Sequence, residues 1–310
     1  LLARYTLRRL IYAIVTMWVI ITITFVLMHT LPGQPFNNTE KLTPQIIANL
    51  NHKYGLDKPL IDQYFIYLNN ILHGDLGVSY RYENRTVNSI IAQGFPVSAQ
   101  LGIEALIFSV TIGLFLGIVA ALRHNTWTDY VAITVAVIGV SIPSIVLGPV
   151  LSYYVGVQLG WLPPGEWGGF SNTILPAITL GMLPLAFIAR LIRTSLLDVL
   201  SMDYIKTAKS KGLSKTVVVW RHAIRNSMLP VVTIMGSLVV NILTGSIVVE
   251  ETFAIPGLGE HFVNSITDND YTVIMGTTIF YSALYIAALF IVDICYSLID
   301  PRIRLFGGRR

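Results

Sequence analysis

Long apolar stretches recur along this chain, each close to the length of a helix that crosses a bilayer. Leu10 to Thr30 carries no charge, and Phe95 to Leu122 is interrupted only by Glu104. Val131 to Val157, Ile174 to Ala189, Met228 to Val249 and Val273 to Leu298 continue the series, the last containing Asp293. A hydrocarbon core about 30 Å thick takes about 20 helical residues to span, so the pattern predicts six transmembrane helices. The fourth stretch is the shortest, because Arg190 arrives at what would be the membrane edge.

Composition agrees with that pattern. Hydrophobic residues make up 54% of the 310 and charged residues 12%, against about 25% charged in an ordinary soluble domain. This excludes a soluble globular fold, a disordered chain, a collagen-like chain and a secreted disulfide framework. Cys295, the single cysteine, says nothing about redox compartment.

The basic residues orient the spans. With the N-terminus in the cytoplasm, six crossings return the C-terminus there, and 16 of the 21 Lys and Arg then fall inside. Lys41, Lys53, Lys58, Arg81 and Arg85 remain outside, together with 11 of the 17 acids. That asymmetry is what the positive-inside rule requires, and an odd number of spans would spoil it. The first stretch has a longer apolar core than a cleaved signal peptide and no small-x-small site after it, so it is expected to be a retained anchor.

Two extramembrane segments are long enough to bind something. The outer one runs from Leu31 to Gly94 and reads as short helices, with Thr43-Pro44 as a start, Gly55 as a stop, and Pro59 and Gly74 bracketing a second helix. In that helix Leu60, Tyr64, Tyr67, Leu68, Ile71 and Leu72 form an aromatic-rich apolar face, suited to a cap packed on the outer ends of the spans or to a docking surface. Asn37-Asn38-Thr39 and Asn84-Arg85-Thr86 match the glycosylation triplet, a pattern too short to weigh. The inner segment, Leu191 to Ser227, predicts helices at Tyr204–Lys211 and Lys215–Asn226, with Gly212 as a left-handed stop and Ser214 as a cap. Its dense basic residues suit anionic lipid. Ala208 and Gly212 add small residues where another helix could approach closely.

Recognised catalytic signatures are missing. The chain has no phosphate loop, no H-E-x-x-H and no G-x-S-x-G, and its histidines are scattered. Nothing supports an enzyme, a bound cofactor or metal, or a nucleic-acid surface. Glu104 and Asp293 are the ionisable residues inside spans, each near enough to one end to reach a wet interface. Ser141-Ile142-Pro143-Ser144, Gly148-Pro149, Pro176 and Pro184 are expected to interrupt the third and fourth spans, as kinks at helix contacts or as the lining of a water-filled path.

Several segments resemble a known family. The inner run Asp203-Tyr-Ile-Lys-Thr-Ala-Lys-Ser-Lys-Gly212-Leu-Ser, followed by Arg221-His222-Ala-Ile-Arg225-Asn226 and Leu229-Pro230, resembles the cytoplasmic EAA loop of ABC importer permeases. Gly212 stands at the loop glycine, Ala208 at the preceding small residue, and Lys206 and Thr207 in the first two slots, where the motif's glutamate is absent. Ile224-Arg225 occupies the usual leucine-proline position, with Leu229-Pro230 later. Other pieces fall in family order: Tyr5-Thr-Leu-Arg8-Arg9-Leu, Pro32-Gly33, Tyr54-Gly55-Leu56-Asp57, Gly74-Asp75-Leu76-Gly77-x-Ser79 and Phe95-Pro96-x-Ser98. Glu250-Glu251-x-Phe253-x-x-Pro256-Gly257-Leu258-Gly259 and Ile299-Asp300-Pro301-Arg302 complete the set. The whole is most similar to the B-type membrane subunit of the dipeptide and oligopeptide branch.

The resemblance implies an all-α polytopic membrane protein with six transmembrane helices, both termini cytoplasmic, and a small helical extracytoplasmic segment after the first span. Its parts would be a cytoplasmic N-terminus (1–9), a first transmembrane helix (10–30), the extracytoplasmic segment (31–94) and a five-helix permease core (95–310) carrying a coupling loop (198–227). It implies a non-catalytic subunit forming half of an oligopeptide translocation pathway in the cell membrane of a prokaryote; dipeptide or nickel import, and an ion-coupled carrier, are the alternatives. Implied partners are a second permease subunit, two cytoplasmic ATPases that hold the ATP and Mg, and an extracytoplasmic peptide-binding protein. Coupling is expected at Asp203, Tyr204, Lys206, Thr207, Ala208, Lys209, Lys211, Gly212, His222 and Arg225. Ser141, Pro143, Pro176, Pro184, Glu251, Phe253, Pro256, Gly257 and Gly259 are expected along the pathway or its gate.

Overall fold

In the computed structural model the described residues are 2–30, 45, 49, 51–52, 55–82, 84–244 and 247–299. Among them the chain is almost wholly helical, the one β contact being an isolated bridge between Val78 and Thr86. Thr43-Pro44, the basic residues beyond Pro301 and both Asn37 and Asn38 lie outside the described residues, as does the side chain of Asp293.

The helices are α1 (Leu2–Thr30), α2 (Leu60–Leu72), α3 (Val87–Leu122), α4 (Trp127–Ser141) and α5 (Ser144–Leu151), the last running on as a wider π-type stretch, Ser152–Gln158. After them come α6 (Phe170–Ser201) and α7 (Asp203–Ser210). Lys215–Val217, a π-type stretch Val218–Ile224 and Arg225–Ser227 run consecutively and together form α8. Finally come α9 (Leu229–Thr244), α10 (Ile247–Thr252), α11 (Leu258–Thr267) and α12 (Tyr271–Ile299).

Among the described residues four helices are long and apolar enough to cross a membrane: Thr6–Thr30 of α1, α3, α6, and Tyr271–Ile291 of α12. A fifth crossing exists if α4 and the Ser144–Gln158 helix count as one span, and these meet at 106°. The expected third span is therefore broken. Its break is at Ile142–Pro143, where Ile142 leaves the helix in an extended conformation and Pro143, with φ near −58°, starts the next. The expected fifth span falls on α9, which is apolar over Leu229–Val239 among the described side chains. At Pro176 and Pro184 the helix does not end: α6 runs through both, and both side chains are buried.

The chain forms two compact units, one from 1–97 with 256–310 and the other from 98–255. In the first, α2 packs its Tyr64, Tyr67, Leu68 and Ile71 side against Ile21 and Phe25 of α1 and Met275 and Ile279 of α12. Burial pushes the Tyr67 phenol well above its usual pKa. The Gly74–Ser79 motif builds the turn after α2. Asp75 accepts from the Gly77 backbone N–H (2.8 Å), and Asn88 ties Gly74 to Leu76 by donating to one and accepting from the other. Gly77 has φ +95° and lies where a methyl group would meet Thr272 at 2.5 Å, so glycine is required twice over. Ser79 then donates to the buried Asp270, which also accepts from the backbone of Tyr80 and Arg81 and caps α12 at the Val273 N–H.

In the second unit α3 and α6 lie side by side in the same direction. A methyl group on Gly181 would meet the Ala105 carbonyl at 2.9 Å, and one on Gly113 would meet the Leu185 carbonyl at 2.9 Å. One on Gly117 would overlap the Ala189 carbonyl and Ile192 outright. Ser109 donates across the same contact to the Gly181 carbonyl (2.8 Å). Small residues four apart thus let two apolar helices touch backbone to backbone.

Candidate coupling surface

The inner segment is built from α7, a tight turn and α8. Ile205 and Ala208 of α7 pack with Val218 and Ala223 of α8, and this cluster also takes in Leu196 near the end of α6 and Ala121 near the end of α3. The segment is thereby joined to the ends of two long helices by a shared apolar core. Tyr204 adds a polar tie, its hydroxyl accepting from Asn226 Nδ2 at 3.0 Å.

The turn follows the expected chemistry. Gly212 has φ +77°, and Ser214 accepts from the Val217 N–H at 3.5 Å at the start of α8. Nothing lies within 4 Å of where a Cβ on Gly212 would be. Its backbone conformation alone calls for glycine. Ala208 is likewise explained from within, being 7% exposed and packed in the unit's own core. The reading of Ala208 as room for an outside partner is corrected accordingly. Gly212→Ala is expected to cost about 1–2 kcal/mol by forcing an L-residue into the left-handed region, with Gly212→Asn milder; thermal unfolding of the purified protein measures both.

The remaining coupling candidates face outward. Asp203, Tyr204, Lys206, Thr207, Lys209, Lys211 and Arg225 are exposed, and His222 is half-buried. Lys206 is paired with Asp203 one turn earlier on the same helix, at 2.8 Å. Between the basic residues stand large apolar side chains left in the open: Met202, Leu213, Val217 and Trp220. The surface is therefore basic with apolar anchors, a mixture common in protein interfaces and unneeded by a solvated face.

Close by, an ion pair joins the first turn of α4 to α6. Asp129, 1% exposed, is gripped in a fork by Arg193, whose Nε and Nη2 each donate to one carboxylate oxygen at 2.7 Å. The Asn125 N–H donates to the same carboxylate at 3.0 Å, and His124 Nδ1 stands 3.2 Å from both Asp129 and Arg193.

The pathway candidates are dispersed. Ser141 and Pro143 are exposed at the break between α4 and α5, whereas Pro176 and Pro184 are buried inside the second unit. Glu251 is exposed and Phe253 buried, both in the second unit; Pro256 is exposed and Gly257 and Gly259 buried in the first. Gly257 and Leu258 lie against Gly94, which explains small residues there by close backbone contact. Phe253 borders a cleft of about 450 Å³ with Pro163, Pro164, Gly165, Glu166, Asn172, Thr252 and Ala254. Two non-glycine residues of this cleft, Glu166 (φ 69°) and Ala254 (φ 52°), are in the left-handed region, and the Glu166 N–H donates to the Phe253 carbonyl at 2.7 Å. Among the described residues no group of three His, Cys, Asp or Glu could hold a metal ion. Glu104 is half-buried and accepts from Gln100 at 2.9 Å.

Residues 113–305 match the family described as the inner membrane component of binding-protein-dependent transport systems, and residues 2–102 match the N-terminal region of the same membrane component. The chain belongs to this family. It is a multi-pass membrane protein, an ABC importer permease of the dipeptide and oligopeptide branch. It is 47% identical to the dipeptide transport system permease protein DppB of Bacillus subtilis over 304 residues, covering 98% of this chain and 99% of the relative. It is 42% identical to the oligopeptide transport system permease protein OppB of Salmonella typhimurium over 303 residues, covering 97% and 99%. The MetNI methionine ABC transporter gives a TM-score of 0.55 at 16% identity, covering 68% of this chain and 96% of that one. An amino acid ABC transporter gives 0.52 at 17%, covering 69% and 94%. These two share the fold.

Two features of this permease were not singled out from the sequence. Asp129 stands in the first turn of α4, and its partner lies 64 residues away, beyond local pattern. Gly113 and Gly117 form a G-x-x-x-G within an apolar stretch, a signal that was present and points to close helix packing.

Proposed function

We propose that this chain forms half of the translocation pathway of an ATP-driven peptide importer. It would cross the membrane six times with both termini inside, and α7–α8 would seat on a separate ATPase subunit that holds the ATP and Mg. The partners in this reading are a second permease subunit, two ATPases and an extracytoplasmic peptide-binding protein. The observation that carries it is the exposed face of α7–α8, where Leu213 and Trp220 stand among Lys206, Lys209, Lys211 and Arg225 on a segment cored into the ends of α3 and α6. The named relatives are dipeptide and oligopeptide permeases, which favours peptide cargo over nickel.

Motion of the ATPase would displace α7–α8 as a body, because Ile205, Ala208, Val218 and Ala223 share one core with Leu196 and Ala121. The stiff α6 carries that displacement into the membrane, and the Asp129–Arg193 fork passes it to α4. The α4–α5 break at Pro143 supplies a hinge. The cleft at Phe253 and Glu166 and the exposed Glu251 are the proposed outer gate. The proposed division remains 1–9, 10–30, 31–94 and a permease core 95–310 with its coupling loop at 198–227.

A double substitution, Lys209→Glu with Leu213→Asp, alters only exposed side chains. Loss of an interface anchor costs about 2 kcal/mol or more, so the ATPase should fall away during purification while the melting temperature stays that of the parent. If the variant still co-purifies with ATPase and takes up peptide at the parental rate, this surface is not the joint.

A further inference from the structure

Helix α2 has two apolar sides. One is the Tyr64, Tyr67, Leu68 and Ile71 side already packed on α1 and α12. On the other, Ile61, Phe65 and Leu72 are exposed, at 69%, 63% and 84%. The polar remainder is Asp62, Asn69 and His73, exposed with Ile66 among them, and Gln63 and Asn70, half-buried beside them. An amphipathic helix with so wide an apolar arc suits a core or a lipid interface, and a surface helix in water does not hold three such side chains in the open without a partner.

Its depth can be read from the two spans it touches. The Tyr64 hydroxyl hydrogen-bonds Thr22 at 2.7 Å, and Thr22 lies eight residues before the end of α1 at Thr30. Ile279, in the same cluster, lies eight residues after the start of α12 at Tyr271. At 1.5 Å per residue each places the contact about 12 Å down from the helix end. The uncharged stretch of α1, Leu10–Thr30, is about 31 Å long at that rise and so matches a core of about 30 Å. The contact therefore lies about 11 Å below the hydrocarbon edge, at the deep limit of the roughly 5–10 Å of a helix lying in the interface. The neighbouring surface of α1 is open and apolar as well, with Trp18, Val19, Ile23, Val26 and Leu27 exposed.

We infer that α2 lies in the bilayer, in the leaflet that holds the Thr30 end of α1, with Ile61, Phe65 and Leu72 against lipid acyl chains and Asp62, Asn69 and His73 at the headgroups. The segment expected as an extracytoplasmic cap or docking surface is then partly a membrane element. It braces α1 and α12 from the lipid side and continues the lipid-facing surface of α1. Naming that leaflet the outer one rests on the six-span topology proposed above; the depth does not.

The single cysteine makes the test direct. In a Cys295→Ser background, Cys is placed in turn at Ile61, Asp62, Phe65, Asn69 and Leu72 of the full-length chain within its assembled transporter. Each is nitroxide-labelled and reconstituted in phosphatidylethanolamine–phosphatidylglycerol bilayers. Collisional relaxation by oxygen should exceed that by a water-soluble nickel chelate several-fold at 61, 65 and 72, with the reverse at 62 and 69. Nickel-chelate access at all five positions would place α2 in water and overturn the inference. Protection of 65 and 72 from both reagents would show a protein partner in place of lipid and overturn it as well. Labelling of Arg85→Cys by a membrane-impermeant maleimide on intact cells reports the topology separately, so an error in sidedness is not mistaken for an error in depth.

Discussion

Replacing Arg193 by alanine is expected to lower the stability of this permease by about 3 kcal/mol. Removing one partner of a buried ion pair typically costs about 3–5 kcal/mol, because the other charge is left buried without compensation. Asp129 is that charge: it is 1% exposed, and Arg193 supplies two of its hydrogen bonds at 2.7 Å. The Asn125 N–H and His124 remain beside it, and Arg193 itself is a quarter exposed, so water reaches the site from one side and holds the cost at the low end. The measurement is thermal unfolding in detergent, with yield from the membrane as a second reading.

The paired control distinguishes a buried charge from a lost contact. Asp129→Asn combined with Arg193→Gln removes both charges and leaves neutral groups able to hydrogen-bond, so it should regain part of what Arg193→Ala loses. Arg193→Lys keeps the charge without the planar fork and should fall between, since lysine cannot reproduce two parallel bonds from one group. If Arg193→Ala melts with the parent, the pair is not holding the start of α4 to α6, and the proposed route from α7–α8 to the broken α4–α5 element loses a link.

How much of this was legible in the sequence depends on the reach of each interaction. The helices on either side of Gly212, the left-handed glycine and the Ser214 cap were readable because each rests on residues within one turn. The break at Pro143 was readable because proline acts on its own backbone and its predecessor's. Pro176 and Pro184 obey the same local rule, yet α6 continues through them; its neighbours hold the helix together where a local rule breaks it. Ala208 was misjudged for a related reason. A small residue on a basic helix reads equally as room for an outside partner or as a fit to one's own core, and only the fold shows Leu196 and Val218 beside it. Membrane helices apolar on every side conceal which face is buried, so neither the α3–α6 contact nor the second apolar side of α2 could be assigned from periodicity.

Gly117 is where that concealed contact is tightest. A methyl group there would overlap the carbonyl oxygen of Ala189, part of a helix backbone that cannot swing aside as a side chain can. Overpacking costs about 1–3 kcal/mol and sometimes more; Gly117→Ala is expected near the top of that range and Gly117→Val beyond it. Gly113, whose added methyl would meet the Leu185 carbonyl at 2.9 Å, should be gentler under the same substitution. Gly169→Ala is the mild reference: nothing lies within 4 Å and φ is near −76°, so its cost is only that of a poorer N-cap residue for α6. The expected order of melting temperatures is therefore Gly169→Ala nearest the parental value, then Gly113→Ala, then Gly117→Ala, then Gly117→Val. The ranking tests more than stability. If α6 carries movement between α7–α8 and the membrane, α3 must move with it, because a contact this close leaves no room to slide. A mild wedge such as Gly113→Ala should then reduce peptide uptake per ATP hydrolysed while the protein remains folded. Unchanged coupling in that variant would mean that α3 and α6 need not travel as one body.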